Sequence, residues 1–285
     1  MIGPPYKAGM SLESVVGGLA LSGRWDVEKN KSSVIDIIPD TGIIRKEKSR
    51  KLDKMVYEVF SSLFLAELLK IYTQILSDND FTLFSPQTLR FEYGEEGDKT
   101  SRRSVIYQVF CPGSPFSKIR GAREDNFQVR GEYVRVEQRA AYVSGILKEV
   151  MKKEGIVHGD PEIRHFFLLP KSARLRYYDS EDVESSYESK NGVGVIDCEN
   201  LTLQDSRSRD TARSAEEFRR NVLTKFFIKE CEEYFNKGSK LVCNECPGDE
   251  MFRQRAYSIA KNIFDQRFQT GIVDIDMQTR KIQYF

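Results

Sequence analysis

Two short apolar runs that each end in an aspartate constrain this chain more than any other feature. The first lies in EGIVHGDPEIRHFFLL, Glu154 to Leu169, and the second in GVGVIDCEN, Gly192 to Asn200. Ile156 and Val157 read as a buried strand, and Gly159 lets the backbone turn tightly before Asp160. Val193, Val195 and Ile196 read as a second buried strand that delivers Asp197 at its end. A fold built around these runs presents two carboxylates on loops held between packed elements, where catalytic groups are commonly found. One such carboxylate can orient or deprotonate a nucleophile, and the other can hold a hard cation through oxygen. Both histidines of the chain, His158 and His165, flank Asp160.

The rest of the chain supplies ordinary globular material. Forty-four basic residues nearly cancel forty-three acidic ones, for a formal charge of +1. Net charge therefore gives no case for a nucleic-acid or membrane binder. The start MIGPPYKAGMSLESVVGG has no basic segment followed by an apolar run, and no stretch approaches the roughly 18 apolar residues of a membrane span. Five cysteines without a framework spacing fit a reducing compartment, so an intracellular protein of the cytoplasm or nucleus is expected. Cys243-Asn-Glu-Cys246 is a metal half-site by spacing; Cys231 is one candidate further ligand, but both histidines are far away in sequence, and the stretch reads better as a turn with two thiols.

Along the chain, SVIDIIP and GIIRKEK predict two strands, and Met55, Val56, Val59, Phe60, Leu63, Phe64 and Leu68 recur with helical spacing. FTLFSPQTLRFEY and SVIYQVF predict two paired strands, the second running into Pro112-Gly113. Val143, Ile146, Leu147, Val150 and Met151 form a helical stripe that stops at Gly155. The acidic insert RLRYYDSEDVESSYESKNG predicts a surface loop. Helices are expected again from Ser214, and GIVDIDMQTRKIQYF alternates as a terminal hairpin would. The predicted class is α+β in two lobes. A small mixed β/α lobe spans residues 1–115 and a larger, mainly helical lobe spans 116–285, with PGSPFSKI between them.

HGD followed after a gap by I-D-x-E resembles the aminoglycoside and choline phosphotransferase group of the protein-kinase-like superfamily. The similarity covers roughly residues 40 to 200, and VIYQVFCPGSPFSKI resembles the hinge of such kinases. The resemblance implies an ATP- and Mg²⁺-dependent phosphotransferase acting on a hydroxyl-bearing small molecule or protein. Asp160 takes the place of the catalytic aspartate, Asp197 that of the magnesium ligand, and Glu199 that of the glutamate following it. Lys46 is the candidate phosphate-binding lysine, with Arg45 and Lys48 as rivals. Glu67 is the candidate to hold that lysine extended.

Two positions depart from the pattern. His165 stands where the group carries asparagine, a second metal ligand, and imidazole prefers softer metals than magnesium. Gly17, Gly18 and Gly23 in VVGGLALSGRW form no clear phosphate-binding loop. A pseudokinase that binds nucleotide or a protein partner is therefore the alternative. A metal-dependent hydrolase built on His158, Asp160, His165 and Asp197 is the third reading. Arg164 and Arg213 are read as structural before phosphate-binding.

Overall fold

The computed structural model describes residues 26–30, 33–38, 42–49, 51–76, 81–95, 102–119, 128–129, 132–226, 229–246, 250–268 and 273–284. The glycines of VVGGLALSGRW lie outside them. Strands β1 (Asp26–Asn30), β2 (Ser33–Ile38) and β3 (Ile43–Ser49) form an antiparallel meander that leads into helix α1 (Leu52–Ile75). Asp53 in its first turn complements the positive end of the helix dipole. β4 (Phe81–Phe84) and β5 (Thr88–Glu95) follow, then β6 (Arg102–Val109). The N-terminal sheet has the order β1-β2-β3-β6-β5.

FTLFSPQTLRFEY is thus two strands rather than one. Pro86 has no N–H to give a ladder, and the chain changes sheet there. β5 stays with the N-terminal sheet, whereas β4 joins a second sheet.

That second sheet is completed by strands from later in the chain. β7 (Ser114–Pro115) lies in the predicted linker, and the short pair β8 (Gln128–Val129) and β9 (Glu132–Tyr133) precedes helix α2 (Val136–Lys153). Gly155 takes φ +67°, the left-handed conformation that ends a helix without steric cost. β10 (Ile156–His158), β11 (Phe166–Leu169), β12 (Arg174–Tyr178), β13 (Glu184–Glu188), β14 (Asn191–Val195) and β15 (Leu201–Leu203) come next. The second sheet runs β4-β14-β11-β7, and β10 pairs with β15.

The acidic insert is a β12–β13 hairpin, not a surface loop. Leu175, Tyr177 and Tyr178 are buried in one cluster with Ile43, Val105, Tyr107 and Val109 of the N-terminal sheet. Charged neighbours hide this alternation in the sequence, but the apolar side chains still have to leave water.

Helices α3 (Arg209–Lys225), α4 (Lys229–Glu245) and α5 (Glu250–Phe268) complete the helical part, and β16 (Val273–Asp276) pairs with β17 (Lys281–Tyr284) as the alternating pattern predicts. Ser208 caps α3 by accepting the Thr211 N–H at 3.1 Å. Cys243 lies in the last turn of α4 and Cys246 just beyond it, so C-N-E-C ends a helix rather than forming a free turn.

α1 is buried on every side, not along one stripe. Helix α5 covers the face that the sheets leave open: Phe60 meets Tyr257 and Phe264 edge-on at 5.2 and 5.8 Å, and Tyr72 meets Phe252 at 5.7 Å. The molecule is therefore α+β, with a strand-rich N-terminal part and a mainly helical C-terminal part. Among the described residues no helix is long and apolar enough to cross a membrane.

Candidate active site

The two quoted runs meet because their strands are stitched together twice. β10 pairs with β15, Ile156 opposite Leu203 and His158 opposite Leu201. β11 pairs with β14, Phe166 opposite Val195. The Asp160 loop joins β10 to β11 and the Asp197 loop joins β14 to β15, so the two loops lie at the same end of these strand pairs. Gly159 donates its N–H to the Asn200 carbonyl at 3.0 Å, and a Cβ at Gly159 would stand 2.8 Å from that oxygen. Only glycine lets the two loops close so tightly.

Asp197 has φ 63° and ψ 63°, a left-handed conformation that side chains other than glycine seldom adopt. Holding it there costs on the order of 1 kcal/mol, the kind of strain found where a side chain must point one way. Its Oδ1 lies 3.4 Å from Lys46 Nζ, and Lys46 Nζ donates to Glu58 Oε1 at 2.8 Å. β3, the helix α1 that follows it and the distant IDCE loop thus converge on one ammonium.

Strand alternation selects Lys46 over its neighbours. Residues 45 and 47 share the other face, where Arg45 pairs with Glu47 at 2.7 Å. The side chain of Lys48 lies outside the described residues.

The partner of Lys46 is Glu58, not Glu67. Nine residues of helix turn through about two and a half turns, so the two glutamates sit on opposite faces and about 13.5 Å apart along the axis. Glu67 accepts a hydrogen bond from Gln87 Nε2 at 3.1 Å and lies 4.0 Å from Lys70. Burial raises its pKa above the usual carboxylate range, partly opposed by Lys70 and Arg267. The sequence signal for Glu58 was its place inside the apolar run KMVYEVF, a costly position for an unpaired carboxylate.

Around Asp160 the loop is held by both histidines. His158 Nδ1 accepts the Asp160 N–H at 3.3 Å, and its ring lies 6.0 Å from that of His165, the two planes inclined by 30°. Burial pushes the His158 pKa down to about 4, helped by His165 and opposed by the two aspartates. His165 Nδ1 faces the Asp160 carbonyl at 3.0 Å, and its Nε2 lies 3.5 Å from Asp197 Oδ2. The carboxylate of Asp160 is partly exposed, 3.6 Å from Arg164 Nη2 and 3.9 Å from His165 Nδ1.

Oxygen ligands for a cation gather nearby. Glu58, Asp197 and Glu199 each offer an atom, all within 4.8 Å of one another, which is a donor set suited to Mg²⁺. The ligand set of the hydrolase reading, with His158 and Asp160, forms no such group among the described residues.

The C-terminal hairpin reaches the same loop, which the sequence did not reveal. Arg280 Nη2 donates to the Asn200 carbonyl at 2.6 Å, and Leu203 N–H to the Met277 carbonyl at 3.0 Å. Tyr57 of α1 donates to the Leu201 carbonyl at 2.5 Å, with the Met277 carbonyl 3.3 Å away. A separate cavity of about 950 Å³, lined by residues such as Lys153, Arg207, Arg253 and Asp276, contains none of the residues singled out from sequence.

Comparison with known proteins gives structural likenesses only. No family model matches the chain, and no curated protein matches it by sequence. Among solved structures, the chain is similar to WaaP in complex with acyl carrier protein, at 14% identity and TM-score 0.40, over 91% of this chain and 98% of that one. It is similar to the Rio2 kinase of Chaetomium thermophilum, seen as an ADP/Mg²⁺-phosphoaspartate complex, at 12% identity and TM-score 0.38, over 90% and 75%. A third is the aminoglycoside phosphotransferase APH(3'')-Id of Streptomyces rimosus, at 11% identity and TM-score 0.35, over 89% and 96%.

Proposed function

We propose that the protein is an ATP-dependent phosphotransferase of kinase-like fold, moving the γ-phosphoryl group to a hydroxyl of a small molecule or protein. The observation that carries this reading is the ammonium of Lys46 bridging Glu58 at 2.8 Å and Asp197 at 3.4 Å. A cation anchored by an anion behind it and next to a metal-binding carboxylate is what nucleotide phosphates require.

In the proposed reaction Lys46 holds the α- and β-phosphates, kept extended by Glu58. Asp160 accepts the acceptor's hydroxyl proton as the oxygen forms a bond to the γ-phosphorus. The bond from that phosphorus to the β-phosphate oxygen breaks, and ADP leaves. Asp197 and Glu199 would hold a divalent cation such as Mg²⁺, which would neutralise charge on the phosphates. Gly159 and Asn200 keep the two aspartate loops in register.

A thermal shift with ATP, with and without Mg²⁺, on wild type and Asp197→Asn tests the site. The expected result is a magnesium-dependent rise in wild type that vanishes in the variant. No shift in either protein removes the nucleotide reading. A rise that ignores both magnesium and the substitution leaves the pseudokinase, which His165 at the asparagine position favours.

A further inference from the structure

We infer that the cation of this site is a divalent transition metal of the manganese-to-zinc series, held by His165 Nε2 and Asp197 Oδ2, in preference to magnesium. The inference rests on the phosphotransferase reading and concerns which ion that same site takes.

The first support is the tautomer of His165. Its Nδ1 lies 3.0 Å from the Asp160 carbonyl, which can only accept, so Nδ1 carries a hydrogen, and in the neutral ring the lone pair is then on Nε2. An imidazole that donates one N–H to a backbone carbonyl and turns its other nitrogen inward is the usual arrangement of a metal-binding histidine. The ring is well buried, at 7% side-chain exposure, and backbone bonds hold it on both sides, from His165 N–H to Glu162 and from Ile196 N–H to the His165 carbonyl.

The second support is what Nε2 faces. It stands 3.5 Å from Asp197 Oδ2, also an acceptor, and two such atoms so close need positive charge between or beside them. Arg164 Nε reaches Nε2 at 3.2 Å, but the same N–H group is 2.9 Å from Glu162 and the arginine is more than half exposed. An exposed guanidinium shared between partners is displaced at small cost.

The third support is the other oxygen of Asp197. Oδ1 faces the Lys46 ammonium, which repels a dication on that side. The oxygen-only group of Glu58, Asp197 and Glu199 is therefore the poorer seat while Lys46 is bound to Glu58. On the Oδ2 side the donor set contains an imidazole nitrogen. Imidazole suits transition metals, whereas magnesium demands oxygen and gives up its water reluctantly.

The test uses the full chain with histidine labelled by ¹⁵N, and Mn²⁺ as the probe, first alone and then with ATP. Pulsed paramagnetic resonance reads hyperfine coupling between manganese and imidazole nitrogen. The chain has two histidines, so loss of the coupling in His165→Asn assigns it. Competition by Mg²⁺ gives the ratio of magnesium to manganese dissociation constants, expected to fall tenfold or more in His165→Asn. Manganese that binds through Asp197 without nitrogen coupling, or an unchanged ratio, overturns the inference and leaves the phosphotransferase reading intact. If neither Mn²⁺ nor ATP binds wild type, both fall. If that variant folds poorly, coupling that persists in His158→Asn makes the same assignment.

Discussion

The two ends of α1 carry buried glutamates that look alike in sequence and differ in every consequence. Glu58 is bound to Lys46 and lies close to Asp197 and Glu199. Glu67 faces the β12–β13 hairpin. There Gln87 Nε2 donates to Glu67 and to the Tyr178 carbonyl, and Gln87 Oε1 accepts the Tyr178 N–H at 2.7 Å. Arg267 of α5 closes that end, donating to Asp182 at 2.9 Å and to the carbonyls of Thr88 and Asp179. One end gathers three carboxylates beside one ammonium. The other spends its polar groups on the protein itself. A buried charge is thus informative about function only when its partners are known.

Substitutions can break this comparison. The largest effect is expected for Asp160→Asn, on the loop next to Asp197. Phosphate transfer falls by a factor of about 10² to 10⁴, while the melting temperature stays close to wild type because the side chain is partly exposed. Transfer that survives the change moves the protein to the pseudokinase or another chemistry. Next comes Arg267→Ala at the opposite end, whose side chain is 3% exposed. It is expected to cost about 3 kcal/mol or more in urea unfolding, because carbonyls and Asp182 lose their donors. ATP affinity of the folded fraction should not change, and if it does, the two ends are coupled.

Titration sharpens the contrast, because the two ends respond to pH with opposite sign. The His158 pKa is depressed from 6.5 to about 4 in the folded protein. The unfolded chain therefore binds the extra proton first as pH falls. This residue's contribution is complete above pH 6.5 and is lost toward pH 4, about 3 kcal/mol in all. Unfolding free energy measured across that range in wild type and His158→Asn should show the difference.

Glu67 does the reverse. Its raised pKa gives stability that is present below about 4.5, the ordinary value, and lost as pH rises through its folded value. Glu67→Gln keeps the hydrogen bond from Gln87 and removes that loss. The smallest expected effect is therefore a modest gain at neutral pH and a flatter profile above pH 4.5. A variant that is less stable at pH 7 would show that the carboxylate's attraction to Lys70 and Arg267 outweighs its burial.

Much of this site was legible in the residues themselves. Aspartates at the ends of short apolar runs marked both loops, and strand alternation favours Lys46 over Arg45. Glu58 was missed because helical spacing tells which residues are buried only when a helix has one buried face. On α1 every face is covered, so periodicity could not tell Glu58 from Glu67. The hairpin was missed because acidic residues outnumber Leu175, Tyr177 and Tyr178, although the tyrosines decide where it packs. The role of Arg280 had no local signal, since its partner Asn200 is eighty residues away.

The covering of α1 also sets a timetable. Its residues 52–75 are made first, and the helix that shields Phe60 and Tyr72, residues 250–268, is made some 175 residues later. At ordinary translation speeds that gap lasts roughly 9 to 35 seconds. Throughout it, one of the most apolar helices of the chain has no permanent cover. Nascent chains of this protein should therefore be clients of holding chaperones, released only when the last long helix arrives.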